Sequence, residues 1–239
     1  MDSADDLEAL VSTPRFKTYI DLAAGDRTKA MELYHWTGDV AGALLTDFRV
    51  LEVLFRNRID SSIAEYVKAH HPLTVGEWLE DSSWISASGY WWDRNAQRAI
   101  DDARRRVHKP HPTRGQIVAE LTFGFWRYVI SGRYEESFWI PILDHAFTGL
   151  PGHAPGDRRR ALEEHLIVLN KLRNRVAHHE PICRSWTFRF RAGRVEVMSL
   201  ETQYRHLIQV IDWIDPGAGR WITTNSQAVK LLLNPPVKL

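Results

Sequence analysis

The sequence predicts a mostly α-helical protein with, at most, a small β-hairpin. Apolar residues recur at three- and four-residue spacing along most of the chain, and only one stretch near residue 190 shows sustained alternation. With 239 residues, 44% of them hydrophobic, the chain can bury one core or two small ones, and its composition is that of a folded protein. A formal net charge of +1 requires any nucleic-acid contact to come from a local basic patch. Cys183 is the only cysteine, which rules out an internal disulfide and fits a reducing cytoplasm. The acidic first residues, Met1 to Glu8, do not read as a signal peptide, and no window approaches 18 uninterrupted apolar residues, so a cytoplasmic protein without a membrane span is expected.

In order, residues 1–14 read as an N-terminal tail and residues 15–235 as one helical domain. Arg15 to Ala24 and Thr28 to Trp36 read as two short helices broken at Gly25-Asp26. Asp39 then caps a long helix whose stripe is Val40, Leu44, Phe48, Leu51, Phe55 and Ile59, with Arg49, Glu52 and Arg56 on its flank. It should end before His70-His71-Pro72. The Trp-rich segment from Trp78 to Trp92 reads as irregular or as containing a helical turn, followed by a helix from Tyr90 to Val107 that Lys109-Pro110-His111-Pro112 terminates. Thr113-Arg114-Gly115-Gln116 has the form of a capping box, opening a helix with Ile117, Leu121 and Phe125 on one face and Gly124 free to admit a close neighbour.

Residues 149–156, Gly-Leu-Pro-Gly-His-Ala-Pro-Gly, form the strongest loop signal, and Asp157 is the expected N-cap of the helix beyond it. Trp186, Phe188 and Phe190 alternate with Thr187, Arg189 and Arg191, turn at Ala192-Gly193 and resume with Val195 and Val197, which predicts a hairpin. Helices over Leu200 to Ile214 and Asn225 to Leu233 complete the chain. The histidine pairs at 70/71, 108/111 and 178/179 lack cysteine or carboxylate partners at ligand spacing, so no metal and no cofactor is expected.

Two segments carry candidate chemistry. Between Arg94 and Arg114, seven Lys or Arg face only Asp101 and Asp102; Arg98, Arg104, Arg105, Arg106 and Lys109 are either a solvated helix face or a track for RNA phosphates. The second is Leu172-Arg173-Asn174-Arg175-Val176-Ala177-His178-His179-Glu180-Pro181. At about 100° per residue, Leu162, Leu166, Leu169, Arg173 and Val176 fall within about 80°, so Arg173 takes a core slot and needs a carboxylate, a phosphate or a subunit interface to satisfy it. Pro181 stops the helix near His178 or His179, where the negative end of the helix dipole favours imidazolium. Arg173 and His178 lie roughly 140° apart while Asn174 and His178 nearly share a face, so a second copy of the helix is one way to bring all three to one phosphate. Two readings stay open. In one, this is a capped helix end whose arginine pairs with a buried carboxylate, Glu52 being the best candidate. In the other, histidine moves protons at a ribose hydroxyl or leaving oxygen, arginine stabilises charge growing on phosphorus, and asparagine orients the phosphate.

Arg-Asn-x-x-x-His followed by His-Glu-Pro-Ile resembles the signature of the HEPN superfamily, in particular its Abi-like (abortive infection) branch. Leu33-Tyr34-His35-Trp36, the run from Leu51 to Ile59, Leu121 to Trp126, and Trp213-Ile214-Asp215-Pro216 fit the same branch, over roughly residues 15 to 235. The resemblance implies a helical bundle that forms a homodimer, with two motifs facing across a shared cleft. It also implies a metal-independent endoribonuclease serving as a toxin or in phage defence and restrained by an antitoxin or regulatory protein. Its catalytic residues would be Arg173, Asn174 and His178, with His179 also within the tolerated spacing and Glu52 and Arg56 in support. The rival is a HEPN module that binds RNA or a partner protein without catalysis. Arg56-Asn57-Arg58 echoes the motif, but Ser61 stands where its histidine would be.

Overall fold

A computed structural model describes residues 4–70, 78–79, 92–147 and 149–238. The elements are α1 (Ala4–Val11), α2 (Thr13–Leu22), α3 (Arg27–His70), α4 (Arg94–Arg106), α5 (Arg114–Glu120), α6 (Phe123–Val129), a π-helix (Glu135–Leu143), α7 (Pro155–Ala177), strands β1 (Trp186–Arg189) and β2 (Val195–Met198), α8 (Leu200–Ile214), α9 (Pro216–Asn225) and α10 (Gln227–Leu232). The fold is thus mostly α with one small antiparallel hairpin. None of the described helices is long and apolar enough to cross a membrane.

The chain divides into two compact units, one of residues 1–50, 167–209 and 217–239, the other of residues 51–166 and 210–216. In the first, Phe16, Leu33, Val40, Leu44 and Phe48 are buried with Leu169, Leu172, Val176, Phe188, Leu207 and Ile222. Asp47 is buried there as well, its Oδ2 accepting from Tyr204 Oη at 2.8 Å and Ser226 Oγ at 2.5 Å, while Ser226 Oγ accepts from Ala228 N–H at the start of α10. In the second unit, Leu51, Phe55, Ile59 and Ile63 of α3 are buried with Phe123, Trp126, Phe138, Trp139 and Phe147. This unit also encloses the guanidinium of Arg159. Arg159 is 1% exposed and bonds Glu135 Oε2 at 2.8 Å, Glu163 Oε2 at 2.7 Å and the Ile130 carbonyl at 3.2 Å, which spreads the cost of burying its charge over two carboxylates.

The apolar stripe expected on the long helix, Val40 to Ile59, is buried at every position. Its start differs. One 44-residue helix begins at Arg27, so Asp39 is interior rather than a cap: Gly38 and Gly42 are each tolerated within a helix whose long buried stripe outweighs their low propensity. Residues 1–14, expected as a tail, include α1. Asp93, whose side chain accepts from Asn95 and Ala96 N–H, starts α4 four residues later than expected. The reading of Trp78 to Trp92 falls largely outside the described residues.

The capping box at Thr113 and Gln116 forms as expected, but Leu121 adopts extended backbone and Thr122 caps a new helix, so the single predicted helix is split into α5 and α6. Among the described residues Gly124 meets only Thr122; Gly149 serves a close approach, because a Cβ there would lie 3.2 Å from the Trp213 backbone. Pro155 opens α7, which puts Asp157 in the first turn, where its charge still complements the helix dipole. The last expected helix forms as α10, capped by Ser226, and α9 before it is a further helix that the sequence reading did not include. Pro141 lies within the π-helix, a widened turn that a search for 3.6-residue periodicity does not register.

Burial is the main reason the Asp47 carboxyl sits above the usual carboxylate range, with the bonds from Ser226 and Tyr204 working against it. An acid whose folded pKa is raised binds its proton more tightly in the native state, so its ionisation costs stability at neutral pH and that cost is lost as pH falls through the folded pKa. Asp47→Asn keeps the acceptor and cannot ionise. Its unfolding free energy relative to wild type is expected to be most favourable near pH 7 and to decline towards about pH 4, measured by urea denaturation. A difference that does not vary with pH would refute a buried charge at Asp47.

Candidate functional site

The end of α7 is shaped by its own backbone. His178 N–H still donates to the Asn174 carbonyl at 2.9 Å, as in a helix, but His179 adopts the left-handed conformation with φ of 55°. Glu180 N–H then reaches the Arg175 carbonyl at 2.9 Å and His179 N–H the Val176 carbonyl at 3.1 Å, the two bonds of a Schellman cap. Arg15 Nη2 donates to the His179 carbonyl at 2.9 Å, placing a cation at the negative end of the helix. Pro181 prevents further helix, and the buried Ile182 and Cys183 anchor the chain as it turns towards β1. Burial pushes the Cys183 thiol up, so it is a packing group.

Asn174 and His178 are both exposed and stand one turn apart, about 40° around the helix. His179 and Glu180 are exposed too. Arg173 is half-buried, less enclosed than the expected core slot: it shares the side of the helix that carries Leu162, Leu166, Leu169 and Val176, all of them buried. A long side chain can lay its methylenes along such a stripe and keep its charged head nearer the surface. Glu52 and Arg56 are half-buried residues of α3, in the second unit; Arg56 Nη1 donates to the Ala119 carbonyl at 3.4 Å. No group of three or more His, Cys, Asp or Glu converges among the described residues.

Three arginines of α4 are engaged within the protein. Arg104 donates to the Leu79 carbonyl and lies 3.6 Å from Asp101, Arg105 pairs with Asp102, and Arg106 bonds Glu120 through Nε at 3.2 Å and its carbonyl through Nη2 at 2.8 Å. Arg98 and Lys109 are exposed without an ion pair among the described residues.

A second basic cluster, which the sequence reading passed over, lies beside His178. Between Lys171 and Arg194 there are seven Lys or Arg and one acid, Glu180. The inner face of the hairpin packs Trp186, Phe188 and Met198 on Val168 of α7, and that packing brings cations onto rings. Lys171 Nζ lies 5.1 Å from the centroid of Phe188, and the guanidinium carbons of Arg175 and Arg184 lie 3.3 Å and 4.2 Å from that of Trp186. Arg175 Nε is 3.6 Å from Glu180 Oε2, too far for a hydrogen bond, and its buried Nε and Nη1 have no hydrogen-bond partner. Burial is the main cause that disfavours the charged form of Arg175; Glu180 opposes it, and Arg184 adds a smaller effect in the same direction as burial. An arginine does not shed its proton at neutral pH, so the cationic pair is held under-compensated. The excess of basic residues over acids between 171 and 194 was the available signal; it was masked because these residues fall on a helix end, a linker and a hairpin rather than on one helix.

Comparison with family models, with curated proteins and with solved structures returns no match.

The left-handed backbone at His179 is costly for a residue with a Cβ and free for glycine. His179→Gly is therefore expected to stabilise the protein by roughly 0.5–1 kcal/mol, after the added flexibility of the unfolded chain is subtracted, visible as a higher urea midpoint. A lower midpoint would mean that the imidazole itself holds the turn.

Proposed function

We propose that this chain is a metal-independent endoribonuclease of the HEPN type, working as a homodimer in which two Arg173-to-His178 segments share one cleft. The observation that carries the reading is the pairing of exposed Asn174 and His178 on one side of the last turn of α7, with the half-buried Arg173 alongside in sequence. An imidazole is the side chain best suited to moving protons near neutral pH, and exposed amide and guanidinium groups suit a phosphodiester. In the reaction, the ribose 2′-oxygen attacks the adjacent phosphorus as its proton passes to a base. The bond from phosphorus to the 5′-oxygen breaks, and that oxygen takes a proton. His178 from the two copies supplies the base and the acid, Asn174 orients the phosphate, and Arg173 offsets the negative charge that builds on it.

Between the two adjacent histidines, we assign proton transfer to His178. Its backbone continues the helix and keeps it beside Asn174, whereas His179 is committed to the cap. A cytoplasmic setting goes with this reading, as do a role as toxin or defence effector and a restraining partner, since unchecked RNA cleavage harms the cell that makes the enzyme. The lone Cys183, buried and unpaired, is compatible with a reducing compartment.

Cleavage of a single-stranded RNA by the purified protein is expected to persist in excess chelator, to leave 2′,3′-cyclic or 3′-phosphate ends, and to stop when the ribose at the cut is 2′-deoxy. His178→Ala should reduce the rate about 10²- to 10⁴-fold with little change in melting temperature, because the side chain is exposed. Activity lost in chelator and restored by a divalent cation would overturn the mechanism.

A composite cleft requires two copies. Light scattering at micromolar protein is expected to report the dimer mass, and a monomer that still cleaves RNA at the same specific rate would exclude the shared site.

A further inference from the structure

We propose that the RNA strand is gripped by the cationic and aromatic face formed where α7 meets the hairpin, through Lys171, Arg175 and Arg184, and that Trp186 is the positioning residue for the two arginines. This rests on the ribonuclease reading above and adds to it the surface that holds the substrate.

Three observations support this assignment. The first is direction: at about 100° per residue, Lys171, Asn174, Arg175 and His178 fall within about 100° of one another around α7, while Arg173 points about 140° away from His178. A phosphate presented to His178 therefore meets Lys171 and Arg175 before it meets Arg173 of the same copy. The second is unsatisfied charge. Lys171 and Arg184 form no ion pair among the described residues, Arg175 has one distant carboxylate at 3.6 Å, and two of its buried nitrogens lack a hydrogen-bond partner. The arginines of α4 contrast with these, since Arg104, Arg105 and Arg106 each already meet a protein oxygen. A phosphate would gain at the first cluster and would have to displace internal partners at Arg104, Arg105 and Arg106.

The third observation is order. A guanidinium on a flexible side chain loses rotamer freedom when it binds, whereas Arg175 and Arg184 both lie over one indole, and that indole, at the start of β1, packs against the cluster of Val168, Phe188 and Met198. Stacking leaves the edges of a guanidinium plane, where its N–H donors lie, uncovered by the ring; Arg184 is exposed, whereas Nε and Nη1 of Arg175 are buried, so Arg175 meets an oxygen through Nη2. Two like charges held near one ring repel, and a bound phosphodiester relieves that repulsion. The contact is with the backbone and not with a base, because both arginines occupy the ring that would otherwise stack one.

The test reads binding separately from cleavage. A fluorescent single-stranded RNA oligonucleotide is titrated with the full chain bearing His178→Ala, so that it stays intact, at several salt concentrations. Arg184→Gln in that background is expected to weaken binding and to lower the slope of log affinity against log salt by about 0.7, and Arg175→Gln with Arg184→Gln by about 1.4. Trp186→Leu, which retains an apolar contact with Phe188 and Met198 but offers no ring, is expected to weaken binding without changing the number of charges. Replacing Arg104, Arg105 and Arg106 together with Gln should leave the slope within half a contact of the starting value. Arg184 is exposed, so its variant remains informative if Arg175→Gln fails to fold. An unchanged slope in Arg184→Gln, or a loss confined to the α4 variant, overturns the proposal. Binding to vesicles containing phosphatidylserine with the same arginine dependence, and none to RNA, would overturn it as well. RNA binding that depends on Arg175 and Arg184 in a protein that never cleaves would leave this surface standing and remove the ribonuclease reading.

Discussion

The reversal of the chain at His179 is the constraint on which the candidate site depends. Its left-handed backbone lets Glu180 and His179 return their N–H groups to the Arg175 and Val176 carbonyls, closing α7 one residue after His178. A helix that ran one more turn would carry the following segment away from Arg175. Because it stops where it does, Ile182 and Cys183 can be buried, Arg15 can reach the His179 carbonyl, and Trp186 comes back over the helix it has just left. The cost of a non-glycine residue in that conformation is of order 1 kcal/mol, small beside the apolar burial that follows from it.

The two basic segments show how little a count of charges decides. Each has seven Lys or Arg, and the acids nearby in sequence are few in both. Along α4, helical spacing sets Asp101 and Asp102 within three residues of Arg104 and Arg105, and Glu120 of α5 meets Arg106. Those charges are largely answered within the protein. Around the end of α7 the same number of cations is spread over a helix, a linker and a hairpin; Arg194 pairs with Glu196, but Lys171, Arg175 and Arg184 are held by aromatic rings. A ring contact orients a guanidinium without cancelling its charge, which a carboxylate would do.

Much of the fold was legible in the sequence because long apolar stripes and local caps are local signals. The Val40-to-Ile59 stripe, the Thr113 capping box, the start and end of α8 and the existence of the hairpin all follow from spacing within a few residues. The register of β2 did not follow: Val195 and Val197 face outward, and Met198 with Glu196 faces in, because opposite Trp186 the packing on Val168 selects Met198. The break at Leu121, the helix α9 and the π-helix around Pro141 were likewise invisible to a search for one helical period. For the site, the exposure of Asn174 and His178 was readable from the stop at Pro181. The depth of Arg173 was misread because spacing fixes the direction of a side chain and not how far its charged end extends: Arg173 shares the stripe of Leu162, Leu166, Leu169 and Val176 yet is only half-buried. The arginine that is fully enclosed, Arg159, sits four turns earlier, where Glu163 one turn along α7 and Glu135 of the π-helix meet its guanidinium.

A hairpin of two four-residue strands is marginal in water by itself. It holds its shape here because Phe188 and Met198 are pressed on Val168, so its hydrogen bonds open and close with that contact and not on their own. The charges arrayed on Trp186 therefore inherit their order from a methionine and a phenylalanine that never meet solvent. Amide exchange along β1 and β2 should slow and quicken as one cooperative block with the end of α7, and a change as small as one methylene at Val168 would be felt as slackness in groups several side chains away.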